Sequence, residues 1–208
     1  MKLNRLFNDA PAIEIKEFMT DSRIEQKNSL FFCLKGMVHD GHHFVHQAIK
    51  NGAIAIVHSE EIDKVDGIEY IKVDNVIDEL NRSASIFFHN PSSKLLMFGV
   101  TGTNGKSTIA KTIKELLCNW KPSGYSGTIS IEYGIHKEKP DFTTDETVPT
   151  LKMLRRMLKA DMEACALEVS SQGLDQHRVD ALRFDVAIFT NLTHDHLDYH
   201  GNLENYYQ

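Results

Sequence analysis

Apolar positions along this 208-residue chain fall into short β-rich runs separated by stretches of helical spacing. SLFFCLKG (29–36) reads as a strand, and HHFVHQAIKNG (42–52) as a helix with a glycine stop. AIAIV (53–57) and IEYIKV (68–73) read as two further strands. Over 75–89 the spacing of Val76, Leu80, Ala84 and Phe87 predicts a helix. Asn90, Pro91, Ser92 and Ser93 then break the pattern and mark a boundary. The prediction is a small α/β domain over 1–92 and a second domain over 93–208.

The second domain repeats the alternation. KLLMFGV (94–100) has the continuous apolar character of a buried strand, and a glycine-rich turn follows it. A helix is predicted over 106–120, with Ile109, Ile113, Leu116 and Leu117 on one side, and another over 147–159. Strands are predicted at ACALEVS (164–170) and FDVAIFTNL (184–192), the latter also buried. Strands alternating with helices give the α/β class: a mainly parallel sheet with helices on its faces. The residues run out at Asn205, Tyr206, Tyr207 and Gln208, soon after a strand and a histidine-rich loop. Such a sheet is expected to continue, so a truncated domain is the expectation.

Composition narrows the classes. A chain that is 41% hydrophobic and 25% charged is ordinary for a soluble globular protein, which excludes a disordered one. A net charge of −6 provides no overall basic field for nucleic acid or anionic lipid. Cys33, Cys118 and Cys165 are far apart and form no CxxC pair, which fits buried thiols in a reducing compartment. MKLNRLFNDA lacks the apolar core of a signal peptide, and no apolar run nears the roughly 18 residues of a membrane span. A cytoplasmic protein is expected, acting on small molecules and not on nucleic acid or membrane.

The chemistry concentrates at GVTGTNGKST (99–108). A strand, a glycine-rich turn and a helix opening at Gly-Lys-Ser make the architecture of a phosphate-binding loop. Gly102 and Gly105 let the backbone curl so that the amides from Thr103 to Ser107, through Asn104, point at an anion. The helix N-terminus, running on into Thr108, adds a partial charge of about +0.5. Lys106 supplies a full charge for the β- and γ-phosphates, and the Ser107 hydroxyl can ligate Mg2+. The general pattern places glycine five residues before Gly105; here that position is Val100, with Gly99 one step early.

TGTNGKST resembles the ATP loop of the Mur ligase family, whose shorter G-T/S-N-G-K-T/S form accounts for Val100. ALEVSSQGLDQHRV (166–179) is similar to the E-V-S-S-x-x-L-x-Q-x-R signature of the MurE-type members. A strand ending at Glu168 leaves its carboxylate at the sheet's C-terminal edge, where α/β ligands bind. The resemblance implies that Glu168 holds metal while Ser170, Gln176 and Arg178 surround a UDP-sugar peptide. TNLTHDHLDYHG (190–201) resembles the family's N-L-T-x-D-H-L-D run, in which the histidine here numbered His196 helps bind a second Mg2+. TTDETVPT (143–150) is similar to the N-T-T-P motif that contacts the muramoyl substrate; Thr143 and Thr144 match its threonines, and Phe142 replaces its asparagine. TDSRIEQKNSLFFCLKGMVHDGHHF (20–44) resembles the first-domain pattern, in which Ser22 and Arg23 help bind the UDP end. His42, His43 and His46 are read as surface or hinge residues and not as ligands.

The resemblance implies a UDP-binding first domain and an ATPase-like second one. It implies an ATP- and Mg2+-dependent amide ligase that phosphorylates the carboxylate of UDP-N-acetylmuramoyl-L-alanyl-D-glutamate and joins the acyl phosphate to a diamino acid. That step belongs to peptidoglycan precursor synthesis, and hence to cell-wall growth, cell shape and division. Lys106, Glu168 and His196 are the catalytic candidates, and a monomer is expected. The family's carbamylated lysine and amino-acid-binding domain fall outside these residues, so the chain alone is expected to bind nucleotide weakly and not to complete ligation. Which diamino acid is added is not readable here. Rival readings are folylpolyglutamate- or cyanophycin-synthetase-like ligases, a non-catalytic nucleotide-binding regulator, and a binuclear zinc hydrolase built on His194, His196, Asp198 and His200. The Q-x-R spacing and the DSR segment weigh against the first, and the phosphate loop against the last.

Overall fold

The computed structural model describes residues 1–36 and 38–207. Met37, within the DSR-bearing pattern, and Gln208, the last position of the expected second domain, lie outside the described residues. The chain divides into two compact units, Met1–Phe87 and the residues from Phe88 onward.

In the first unit, β1 (Glu17–Met19), β2 (Ser29–Phe32), β3 (Ala53–His58) and β4 (Glu69–Lys72) form a sheet in that order, parallel throughout. A parallel sheet is covered on both faces, so its strands read as continuous apolar runs. β2 and β3 do so, whereas the three-residue β1 was too short to stand out in the sequence. α1 (Val45–Lys50) covers one face, packing Val45 and Ala48 against Met19, Phe31 and Ile56. α2 (Val76–Phe87) buries Val76, Leu80, Ala84 and Phe87, the four positions its spacing marked. The helix expected over 42–52 divides: Gly41–Phe44 is a 3-10 turn capped by the Asp40 side chain, and the α-helix begins at Val45.

The second unit is a six-stranded sheet between two helices. β5 (Leu96–Thr101), β6 (Ser123–Ser126), β7 (Ile131–Tyr133), β8 (His136–Glu138), β9 (Ala164–Glu168) and β10 (Val186–Phe189) lie in the order β10-β5-β9-β6-β7-β8. The first four in that order are parallel, and β7 and β8 turn back antiparallel. α3 (Lys106–Leu117) packs Ala110 on Val100, Tyr125 and Ala166 on one face. α4 (Thr147–Lys159) packs Leu154 and Met157 on Met97, Cys165 and Leu167 on the other. Burying each such leucine contributes about 2 kcal/mol.

Three expectations are corrected. Leu116 does not join the buried side of α3 but is 57% exposed; Ala110 takes the central place, because only a small residue lets the helix approach the sheet closely. The 184–192 strand is not buried: β10 sits at the sheet edge, with Phe189 58% exposed, since an apolar run reports β-propensity and not strand order. Cys33 and Cys165 are buried and burial pushes their thiols up to about 12, but Cys118 is exposed just beyond α3.

Candidate nucleotide and metal site

β5 delivers the chain to the phosphate loop and α3 leaves it. Gly102 has φ +125° and Gly105 φ +86°, backbone that L side chains rarely adopt. A Cβ on Gly102 would also stand 2.3 Å from Thr190 Oγ1. Gly99, by contrast, lies within β5, where its lack of a side chain makes room for the Phe184 ring. Lys106 curls over the turn, its Nζ donating to the carbonyls of Gly102 (2.8 Å) and Thr103 (2.9 Å). The first-turn amides of α3, from Lys106 through Thr108, have no carbonyl within the helix to bond, as helix geometry dictates.

Two of the amides expected to face an anion are otherwise engaged. Thr103 N donates to the Asn191 carbonyl at 2.8 Å, and Asn104 N to Asn191 Oδ1 at 3.1 Å. Asn191 Nδ2 and Thr190 Oγ1 donate back to the Asn104 carbonyl at 3.0 and 2.7 Å. Thr193 N donates to Thr103 Oγ1 at 2.9 Å, and Asn104 Nδ2 to Thr193 Oγ1 at 3.1 Å. The TNLT segment thus clamps residues 103–104, which leaves the Gly105 end of the loop and the helix start to face a ligand. Thr190, Asn191 and Thr193 belong to the N-L-T run, a signal present in the sequence whose target, residues 103–104, is not.

Glu168 ends β9 at the sheet's C-terminal edge and is 0% exposed. Register pairs it with Val100 of β5, one residue short of the strand end that opens the phosphate loop. Ser107 Oγ donates to Glu168 Oε2 at 2.9 Å, joining residues 61 apart in sequence. Tyr125 donates its hydroxyl to Oε1, Thr128 N donates to Oε1 at 3.2 Å, and Thr128 Oγ1 to Oε2 at 3.2 Å. Burial first, and then the bond to Glu168, pushes the Tyr125 phenol well above its ordinary range. Among the described residues no Lys, Arg or His forms an ion pair with Glu168. A buried carboxylate held by neutral donors is costly without a cation, and hard oxygen donors from Glu168 and Ser107 match what Mg2+ prefers. The residues fit the ion.

His196 stands one aromatic ring away from the loop. Its imidazole meets Tyr206 edge-on with centroids 6.2 Å apart, and the Tyr206 hydroxyl lies 3.1 Å from Thr103 Oγ1. His196 has φ +51° and starts the short helix α6 (Leu197–His200). His194 and Asp198 are exposed, while His200 stacks on Tyr206 at 4.9 Å and places Nε2 2.9 Å from Ser171 Oγ. Among the described residues these four do not gather as a metal cluster; the group whose ligand atoms lie within 4.8 Å of one another is Asp40, His42 and Glu60. Of the three histidines read as surface or hinge residues, His42 does not lie on the surface. It is buried, Nδ1 bonds Asp40 at 2.6 Å and Nε2 accepts from Ser59 N at 3.1 Å, so both nitrogens pin loops at the sheet edge. His43 and His46 are exposed.

The remaining candidates of the second unit cluster around Thr144. Its buried Oγ1 donates to the Glu168 carbonyl at 3.0 Å and accepts from Ser170 N at 2.8 Å, while Thr143 Oγ1 lies 3.0 Å from Thr128 Oγ1. Ser170 Oγ caps helix α5 (Ser171–Asp175) by accepting from Gly173 N. Arg178 donates to the Thr144 carbonyl (2.8 Å) and twice to Gln176 Oε1 (3.0 and 2.6 Å). Its guanidinium lies 5.1 Å from the centre of the Phe142 ring, so the phenylalanine that replaces the expected asparagine supports the arginine by cation–π contact. Tyr199 extends the network, accepting from Gln176 Nε2 (3.1 Å) and donating to Asp175 (2.6 Å). In the first unit Ser22 is buried, its carbonyl accepting from Asn51, and Arg23 is 85% exposed and forked onto Asp21. That fork holds the Asp21 carboxyl below its ordinary range.

Comparison with known proteins finds relatives for both units. Residues 100–208 match the Mur ligase middle domain, and residues 14–83 match the family described as Mur ligase, catalytic domain. The chain is 39% identical over 215 residues to the UDP-N-acetylmuramoyl-L-alanyl-D-glutamate–2,6-diaminopimelate ligase of Alkaliphilus metalliredigens, covering 99% of this chain and 44% of that protein. It is 40% identical over 195 residues to the protein of the same name from Clostridioides difficile, covering 93% and 40%. A solved ligase of that name superposes with a TM-score of 0.80 at 26% identity, covering 99% of this chain and 43% of the other. MurF ligase from Thermotoga maritima in complex with ADP gives 0.61 at 26% identity, covering 92% and 41%. The chain therefore spans less than half the length of these relatives. With its phosphate loop, its buried Glu168 and both matched regions in order, the chain belongs to the Mur ligase family.

Proposed function

We propose that these residues supply the nucleotide- and UDP-sugar-binding part of an ATP-dependent, ADP-forming amide ligase of peptidoglycan precursor synthesis, serving cell shape and division in the cytoplasm. Its substrate is UDP-N-acetylmuramoyl-L-alanyl-D-glutamate, and the names of the curated relatives support 2,6-diaminopimelate as the added amino acid. The observation that carries the reading is the bond between Ser107 and Glu168, which joins the phosphate loop to a buried carboxylate that, among the described residues, pairs with no Lys, Arg or His. That the Thermotoga maritima neighbour was solved with ADP supports an adenine nucleotide in this loop.

The reaction brings a carboxylate up to a triphosphate, and Coulomb repulsion opposes it. Lys106, released from the loop carbonyls, and the first-turn amides of α3 neutralise the phosphates. Ser107 and Glu168 hold Mg2+, with His196 serving a second ion; the metal supplies neutralisation of developing charge. The substrate carboxylate is itself the nucleophile toward the γ-phosphate and displaces ADP; the amine then attacks the acyl phosphate carbonyl, expelling inorganic phosphate and giving up a proton as the amide forms. Thr143, Thr144, Ser170, Gln176 and Arg178 bind the muramoyl peptide, and Ser22 and Arg23 the UDP end. Arg178 retains guanidinium protons beyond those given to Gln176 and Thr144, which suits a carboxylate. No described helix is long and apolar enough to cross a membrane, and a monomer suffices for this assignment.

Calorimetric titration with ADP and Mg2+ tests the reading. Nucleotide binding that weakens at least tenfold in Lys106→Ala supports it, since each tenfold is about 1.4 kcal/mol. Equal binding by the two proteins, or none at millimolar ADP, overturns it.

A further inference from the structure

The two oxygens of the Glu168 carboxylate are held by different kinds of donor. Tyr125 is registered with Ala166 across the parallel β6–β9 pair, and Glu168 lies two residues further along β9 on the same face. Strand alternation thus brings phenol and carboxylate together on the α3 side of the sheet. Oε1 accepts from the Tyr125 hydroxyl and the Thr128 amide. Gly127 closes over the same oxygen: a Cβ there would stand 2.0 Å from Oε1. Oε2 instead accepts from two hydroxyls, Ser107 at 2.9 Å and Thr128 at 3.2 Å. A hydroxyl can rotate its proton away and present a lone pair to a cation; a backbone amide cannot. The phenol oxygen is fixed in place by the packing of its ring. Tyr125 is fully buried, its ring lies 5.2 Å beneath the Lys111 ammonium, and Lys111 is itself paired with Glu132 at 3.2 Å.

We propose that Tyr125 is a positioning residue for the divalent cation: its phenol and the Thr128 amide saturate Oε1 and commit Oε2, beside the Ser107 hydroxyl, to the metal. This rests on the reading of Glu168 as a metal ligand. Without the phenol Oε1 keeps only the Thr128 amide, so the carboxylate is held less firmly in the orientation that offers Oε2 to the ion.

Mn2+ is the probe, its free fraction read by electron paramagnetic resonance with the 208-residue chain and ADP. Tyr125→Phe removes one oxygen from a buried ring and is expected to raise the Mn2+ Kd about tenfold or more. ADP affinity measured in EDTA stays within about twofold of wild type, a split that a merely structural role does not produce. Should Tyr125→Phe fail to fold, 4-aminophenylalanine placed at residue 125 keeps an N–H donor to Oε1 on the same ring and is expected to hold the Mn2+ Kd within about twofold of wild type; a rise of about tenfold there overturns the positioning role. An unchanged Mn2+ Kd in folded Tyr125→Phe, or an equal loss of metal-free ADP affinity, overturns the positioning role alone. Glu168→Gln binding Mn2+ as tightly as wild type overturns the metal reading, and the positioning role with it.

Discussion

The side chain of Asn191 and the main chain of Asn104 bond each other reciprocally: Asn104 N donates to Asn191 Oδ1 at 3.1 Å, and Asn191 Nδ2 donates to the Asn104 carbonyl at 3.0 Å. With the Asn191 carbonyl also accepting from Thr103 N, one residue of a distant loop dictates the course of the phosphate loop. An amide that faces Asn191 does not face a phosphate. The amides left to face an anion are therefore those at Gly105 and the start of α3.

Asn191→Ala removes both side-chain bonds and leaves the carbonyl contact. Each such bond is worth about 1 kcal/mol net to stability, so the unfolding temperature is expected to fall by a few degrees, and ADP affinity about tenfold as the loop loosens. Calorimetric titration measures it. Affinity equal to wild type means the clamp does not set the loop's anion-binding form.

Gly102→Ala forces a side chain onto φ +125° and into Thr190 Oγ1. Backbone strain of this kind costs about 1–3 kcal/mol before the clash is counted, and nucleotide binding is expected to be lost with it. Gly134→Ala is the control, at φ +53° with nothing within 4 Å. It costs about 1 kcal/mol and leaves ADP affinity alone. Urea unfolding and titration of both variants compare them; equal effects at the two positions would count against the clamp geometry.

Acid should weaken the two units at different pH. Burial lowers the His58 imidazole from its ordinary 6.5, with repulsion from Lys64, His42 and Lys72 against a bond to the Glu60 carbonyl. The unfolded chain then binds a proton more readily than the folded one, so His58 favours folding above about pH 6.5 and opposes it as pH falls further. Glu132 runs the other way in cause but not in sign. Its bond to Ser130, joined by Lys137 and Lys111, lowers its carboxyl from 4.5 to about 2, so its contribution is present above 4.5 and lost as pH falls toward 2. Hydrogen exchange by peptide is expected to show the first unit loosening between pH 7 and 5.5 and the second only below 4.5. His58→Gln flattens the first step; an unchanged step assigns it to other groups.

Much of this was legible in the chain itself. The α2 positions Val76, Leu80, Ala84 and Phe87, the extent of α4, the strand–turn–helix around Gly102 to Ser107, and a carboxylate at the end of β9 all follow from local rules: period, capping and conformational freedom. Those rules act over a few residues, and a sequence displays them directly. Tertiary structure alone decided what meets what. Strand order put β10 at the edge and exposed Phe189; register carried Glu168 to Ser107, 61 residues away; and a loop 87 residues on from Asn104 took two amides of the glycine turn. Pairing of that kind depends on which strands lie side by side, and burial of both sheet faces settles this for the whole domain at once. No single segment encodes it.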